Sequence, residues 1–187
     1  MHQPFFVENI YSHPIYKPMV GIYNGANKTR EKVREMAPLI GLIVSLLGFR
    51  LMGWLGWEYM NDWIISLRFA VAVMFLLTAS AHWGKRRAEL VAMVPPRFAQ
   101  PGALVTLTGW LEIAGAVGMM IPIMAEAAST GLALMLLAMF PANVYAANNR
   151  LTLDGRAVMP LVPRTVLQVV FLAAVLAAGW IPPGAWA

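Results

Sequence analysis

Four polar residues stand where an otherwise apolar sequence could do chemistry. Glu112 lies near the middle of "LVTLTGWLEIAGAVGMMIPI" (Leu104–Ile123), with Thr108 one turn before it; His82 follows "TASA", and Asn143 follows Pro141 in "MFPANVYAANN". A carboxyl and an imidazole can exchange a proton near neutral pH. An amide beside them could hold the polar head of a ligand through its donor and acceptor. Twenty helical residues match a hydrocarbon core ~30 Å thick, and Glu112 would then lie ~12 Å below the nearer surface. Ionisable groups at such depth are costly and face a bundle interior. Glu112, His82, Asn143 and Thr108 are therefore the candidate ligand-binding set. The alternative is structural: a protonated Glu112 hydrogen-bonded to Thr108 or to a helix neighbour as glue, His82 meeting headgroups or capping a helix end, and Asn143 satisfying the break at Pro141. Arg50 and Arg68 also fall inside apolar stretches. They are expected in the outer third, reaching toward Glu58 or Asp62, with contact to an outer-leaflet lipid or quinone as the sharper alternative.

The chain of 187 residues is 59% hydrophobic and 12% charged. Ordinary soluble domains carry about 25% charge, so a membrane protein of one compact domain is expected. Cysteine is absent, which excludes thiolate nucleophiles and cysteine-ligated zinc or iron–sulfur groups. No nucleotide-binding loop, metal-binding helix motif or nucleophile motif appears, and His82 is the lone histidine near the apolar segments, so neither a metal site nor paired-histidine haem is expected. The catalytic residues, if any, are not assigned. The net charge of +5 does not point to nucleic acid, because the basic residues flank apolar segments instead of forming a face. The first residues lack the pattern of a cleaved signal peptide, so the first membrane helix should act as the insertion signal.

Five segments are long and apolar enough to span: 37–57, 63–81, 104–123, 127–147 and 165–181. The fold class is thus all-α, a polytopic bundle with five transmembrane helices. With residues 1–36 inside, Lys17, Lys28, Arg30, Lys32 and Arg34 precede the first helix. Lys85, Arg86, Arg87 and Arg97 follow the second, and Arg150, Arg156 and Arg164 follow the fourth. The opposite loops carry only Glu58, Asp62 and Glu126. Orientation follows such positive residues, which predicts a cytoplasmic N-terminus and an external C-terminus in a bacterial cytoplasmic (inner) membrane. Trp54, Trp57, Tyr59, Trp63, Trp180 and Trp186 would form the outer aromatic belt. A four-helix alternative, with 37–57 lying in the interface, strands five positive residues outside.

The domain division is a tail, 1–36, and the bundle, 37–187. The tail is rich in Phe5, Phe6, Tyr11, Tyr16 and Tyr23 and ends in "NKTREKVREM", which Asn27 or Thr29 could cap. So many large rings suit packing on the protein's own loops or on a partner. "GKRRAELVAMVPPRFAQP" suits either a short surface helix over Lys85–Val94 that stops at Pro95-Pro96, or an irregular loop. On the third long helix Thr108, Glu112 and Gly115 share a face with Gly109 beside it, expected to look inward. On the fourth, Ala127, Gly131, Ala138 and Ala142 form a small-residue ridge, interrupted by Leu134 and Met135, expected to pack closely on a neighbour. Pro141 should leave the Leu137 carbonyl without its donor, with Asn143 nearby.

The stretch "HWGKRRAELVAMVPPRFAQP…LVTLTGWLEIAGAVGMMIP…LALMLLAMFPANVYAA…VPRTVLQ" resembles the DoxX-like membrane proteins, over about Leu67 to Gln168. Their pattern runs from a histidine ending one helix, through M-V-P-P, to a T-G-x-x-E helix and a P-A-N helix. The resemblance implies a four-helix membrane core, here extended by the N-terminal tail and first helix with Arg50. It also implies quinone-linked redox chemistry, since relatives include the small membrane subunit of an archaeal thiosulfate:quinone oxidoreductase and partners of secreted redox enzymes. Two functions follow as expectations. One is an accessory or anchoring subunit of a larger membrane electron-transfer complex, contacting other subunits through its tail and helix faces. The other is a stand-alone quinone- or lipid-binding redox protein in which Glu112 exchanges a proton. Quinone is the one cofactor implied, and nothing covalent is expected.

Overall fold

A computed structural model describes residues 36–149, 151–153, 156–157 and 159–185. The aromatic tail, its proposed cap at Asn27 or Thr29, Arg150 and Trp186 lie outside the described residues. The chain from Pro38 onward forms one compact unit. It is built from α1 (Ala37–Trp54), α2 (Trp63–Ser80), a short α3 (Arg87–Met93), α4 (Pro101–Met120), α5 (Ala125–Asn148) and α6 (Leu161–Trp180). A two-residue antiparallel ribbon, β1 (Thr152–Leu153) with β2 (Arg156–Ala157), joins α5 to α6 and was not foreseen in the sequence. All five expected long helices are present, and each is long and apolar enough to cross a membrane.

Their boundaries follow local chemistry that hydropathy does not register. α1 stops at Trp54, short of residue 57, because the Gly56 N–H bonds Gly53 and the Trp57 N–H bonds Met52, each at 3.1 Å. This is the Schellman arrangement, and Gly56 supplies its left-handed residue at φ 114°. Asp62 then caps α2 by accepting from the Ile65 N–H at 2.9 Å, and it also accepts from the Gly184 N–H. α4 begins three residues earlier than expected, at Pro101, where a missing N–H costs nothing. α6 begins four residues earlier, at Leu161, with Pro163 absorbed in its first turn for the same reason. The basic stretch after α2 does form a helix turn, α3, which ends before Pro95 as the proline requires.

α2, α4, α5 and α6 close a ring in that order, α6 returning to α2. The core between them is filled by Val71, Met74, Phe75, Ala116, Met119, Leu132, Met135 and Val175. α1 runs outside the ring, antiparallel to α2: Gly41 meets Leu77, and Phe49 meets Phe69 edge-on at 5.6 Å. Between their ends the helices turn mostly apolar faces outward, with Val44, Leu47, Leu107, Leu134 and Val162 more than half exposed. Such a surface suits lipid and not water. At one end, Trp54, Trp57, Tyr59, Trp63 and Trp180 are exposed together, and the basic connections lie at the other end.

Because lipid offers no hydrophobic drive between helices, close backbone approach matters most. Gly118 abuts Ala128, and Gly179 abuts Ser129, whose hydroxyl donates to the Val175 carbonyl at 2.8 Å. The ridge read from the sequence is not the one used. Ala127, Gly131 and Ala138 are exposed, and a side chain at Gly131 would meet nothing. α5 instead turns Ala125, Ser129, Leu132, Ala133 and Leu136 inward.

Candidate functional site

α4 presents Val105, Gly109, Glu112, Ala116 and Met119 to the core, spacings of four and three that keep one face inward. Gly109 lets α2's end come close: an added methyl would sit 2.7 Å from the Trp83 ring and 2.8 Å from His82 Cβ. This approach delivers His82, 4% exposed, to Glu112, 3% exposed. His82 Nε2 lies 3.3 Å from Glu112 Oε1. The other carboxylate oxygen, Oε2, is 2.8 Å from the Thr78 hydroxyl, which sits one helical turn before His82 on α2.

The hydrogen-bond directions fix the proton inventory. His82 Nδ1 is 2.6 Å from the Val105 carbonyl, which can only accept, so Nδ1 carries a hydrogen. The Nε2–Oε1 contact then needs one more proton, on the imidazole or on the carboxyl. In either case the pair is neutral overall and its two groups satisfy each other. Thr78 suits both arrangements. Its hydroxyl donates to Oε2 whether that atom belongs to a carboxylate or is the carbonyl oxygen of an acid protonated at Oε1. Arg87 closes the outer side, donating to the His82 carbonyl at 2.8 Å, the Gly102 carbonyl at 3.0 Å and the Thr106 hydroxyl at 2.9 Å.

Burial opposes charging of His82, but the hydrogen bond that its ring donates to Glu112, the Val105 carbonyl and the Glu112 charge outweigh it, with Arg87 working the other way, and the imidazole pKa is raised above 6.5. A raised pKa contributes stability that is fully present below the unfolded value and lost as pH rises through the folded value. Thermal unfolding in detergent should therefore occur at progressively lower temperature as the pH is raised from about 6.5, the unperturbed histidine value. His82→Gln should flatten that dependence; an unchanged slope would show that other groups cause it.

The structure unites Glu112 with His82 and sets the other two candidates apart. Thr108 bonds the Leu104 and Val105 carbonyls of its own helix at 3.0 and 3.1 Å and stands 3.4 Å from His82 Nδ1, so the hydroxyl at Glu112 is Thr78 instead. Asn143 belongs to a second polar cluster between α5 and α6. It donates to Gln168 Oε1 at 3.3 Å and accepts from Arg164 at 3.0 Å. Gln168 also donates to the Leu136 carbonyl at 2.6 Å, one residue before the carbonyl that Pro141 deprives. Gln168 of α6 thus bonds the carbonyl next to the Pro141 break, while Asn143 turns to α6. Thr78, Arg87 and Gln168 were missed; the spacing of four between Thr78 and His82 was the available signal for the first.

Arg50 and Arg68 do not reach the acids expected for them. Arg50 donates to the Met60 carbonyl at 3.1 Å and to the Asn61 carbonyl, and stacks over Trp63 at 4.3 Å. Arg68 is 9% exposed and its Nε donates to the Ala178 carbonyl at 2.7 Å. It ties α2 to the end of α6 and faces the core instead of outer-leaflet lipid. Among the described residues no group of histidine and acidic side chains could hold a metal ion.

Fold and site together define a helical bundle with five helices long and apolar enough to cross a membrane and a buried imidazole–carboxyl pair. The chain belongs to the family described as a domain of unknown function, DUF8561, whose model matches residues 71–179, more than half of its length. The match takes in His82, Glu112 and Asn143 and leaves α1, Arg50 and Arg68 outside. No curated protein and no solved structure matches the chain.

Proposed function

We propose that the chain is a DoxX-like accessory membrane subunit, a rigid bundle that anchors a larger redox assembly and holds one proton in its core between His82 and Glu112. The carrying observation is that these two buried groups satisfy each other and Thr78, tying α2 to α4. The four-helix ring with one helix outside it supports the DoxX-like reading. In a bacterial cytoplasmic membrane the basic end would face the cytoplasm, as positive residues do. The aromatic tail, Met1–Met36, would dock on the partner.

A stand-alone proton-exchanging role is the second reading, favoured by the Thr78 hydroxyl, which serves both protonation states. A quinone head does not fit at Glu112: its carbonyls would need donors, and the donors of this pair are already directed at Glu112 and Val105. Native purification with mass spectrometry separates the two. The accessory role predicts a heteromeric complex that disperses when Met1–Tyr23 is deleted, while the chain stays inserted. A homogeneous chain with no partner subunit would overturn it and favour the stand-alone role.

A further inference from the structure

A groove of about 500 Å³ opens at the basic end of the bundle, between the α3–α4 connection and α5. One wall is Pro95 and Arg97, the other Phe140, Pro141, Val144 and Tyr145. Prolines shape both sides: Pro95-Pro96 stops α3 and turns the chain away, while Pro141 faces outward within α5. The lining is therefore apolar, with a guanidinium and a phenol as its polar groups.

Charges nearby are already committed. Arg86 pairs with Glu89 at 3.2 Å, and Arg87 is spent on two carbonyls and Thr106. Arg97 has no carboxylate partner among the described residues; its guanidinium stands 5.2 Å over the Phe98 ring. An exposed cation above an apolar wall, at the end of the spanning helices, matches a phosphate joined to an acyl chain.

We infer that this groove binds an anionic phospholipid, its phosphate on Arg97 and the Tyr145 hydroxyl, its chain along Phe140, Pro141 and Val144. A quinone could accept a hydrogen bond from Arg97 but would leave its positive charge unpaired. The inference needs the bundle to lie in a membrane and is independent of what His82 and Glu112 do.

Native mass spectrometry of the full chain, released from vesicles of equal phosphatidylglycerol and phosphatidylcholine, tests it. The expected result is preferential retention of phosphatidylglycerol, reduced about fivefold in Arg97→Gln, since one basic residue near an anionic lipid contributes ~1 kcal/mol. Arg97→Lys should keep the preference, Arg86→Gln should not alter it, and Val144→Trp should lower retention of both lipids by filling the groove. Equal retention of the two lipids by the unmodified chain would overturn the inference, as would an Arg97→Gln chain with undiminished preference.

Discussion

Glu112→Leu is expected to destabilise the bundle in detergent by about 3 kcal/mol, because it strips His82 Nε2 and Thr78 of their shared partner at a buried site. The imidazole can shed its charge, so the loss falls at the lower end for a broken buried pair. Glu112→Gln should cost no more than about 1 kcal/mol, the scale of one hydrogen bond. Its amide can donate to a neutral His82 while its carbonyl accepts from Thr78. Thermal unfolding of the three proteins side by side checks this ordering. Equal stability for leucine and glutamine would mean that the polar contacts do not hold α2 against α4.

The second large effect is expected at Gly109. Valine there would press on the Trp83 ring and on His82 Cβ, an atom close to the backbone that has little room to move. Overpacking of this kind costs about 3 kcal/mol at its upper end. It should also separate His82 from Glu112, so the pH dependence of unfolding should flatten as it does in His82→Gln. By contrast, valine at Gly131, where nothing lies within contact distance, should leave both properties unchanged. If Gly109→Val keeps the parent's stability and pH profile, the close approach of α2 and α4 does not position the pair.

These positions also show what the sequence could and could not reveal. The five long helices were legible because lipid thickness dictates length and composition, and the alternation of basic and acidic connections separated the two ends. Glu112 and His82 were legible because ionisable groups in apolar surroundings are rare enough to stand out. Of the two partners read for Glu112, Thr108 or a group on a neighbouring helix, the structure has the second, Thr78. Thr108 is one turn from Glu112, but a helical threonine can bond its own i−4 carbonyl, here Leu104 at 3.0 Å. Thr78 reaches Glu112 because the ring sets α2 beside α4, and helix adjacency is not written in either helix. The same holds for Asn143, whose partners Arg164 and Gln168 come from α6. The small-residue ridge of α5 failed for a related reason: Ala127, Gly131 and Ala138 share a face, but spacing alone does not say whether that face turns toward a helix or away from all of them.

The central claim is that one proton is shared between His82 Nε2 and Glu112 while Nδ1 stays bound to Val105. Nitrogen-15 NMR of the His82 ring, in the intact chain between about pH 5 and pH 8, where histidine charge changes, tests it most directly. The account predicts a protonated Nδ1 throughout and an Nε2 resonance that shifts in Glu112→Gln. An unprotonated Nδ1, or a ring spectrum identical in the two proteins, would contradict it.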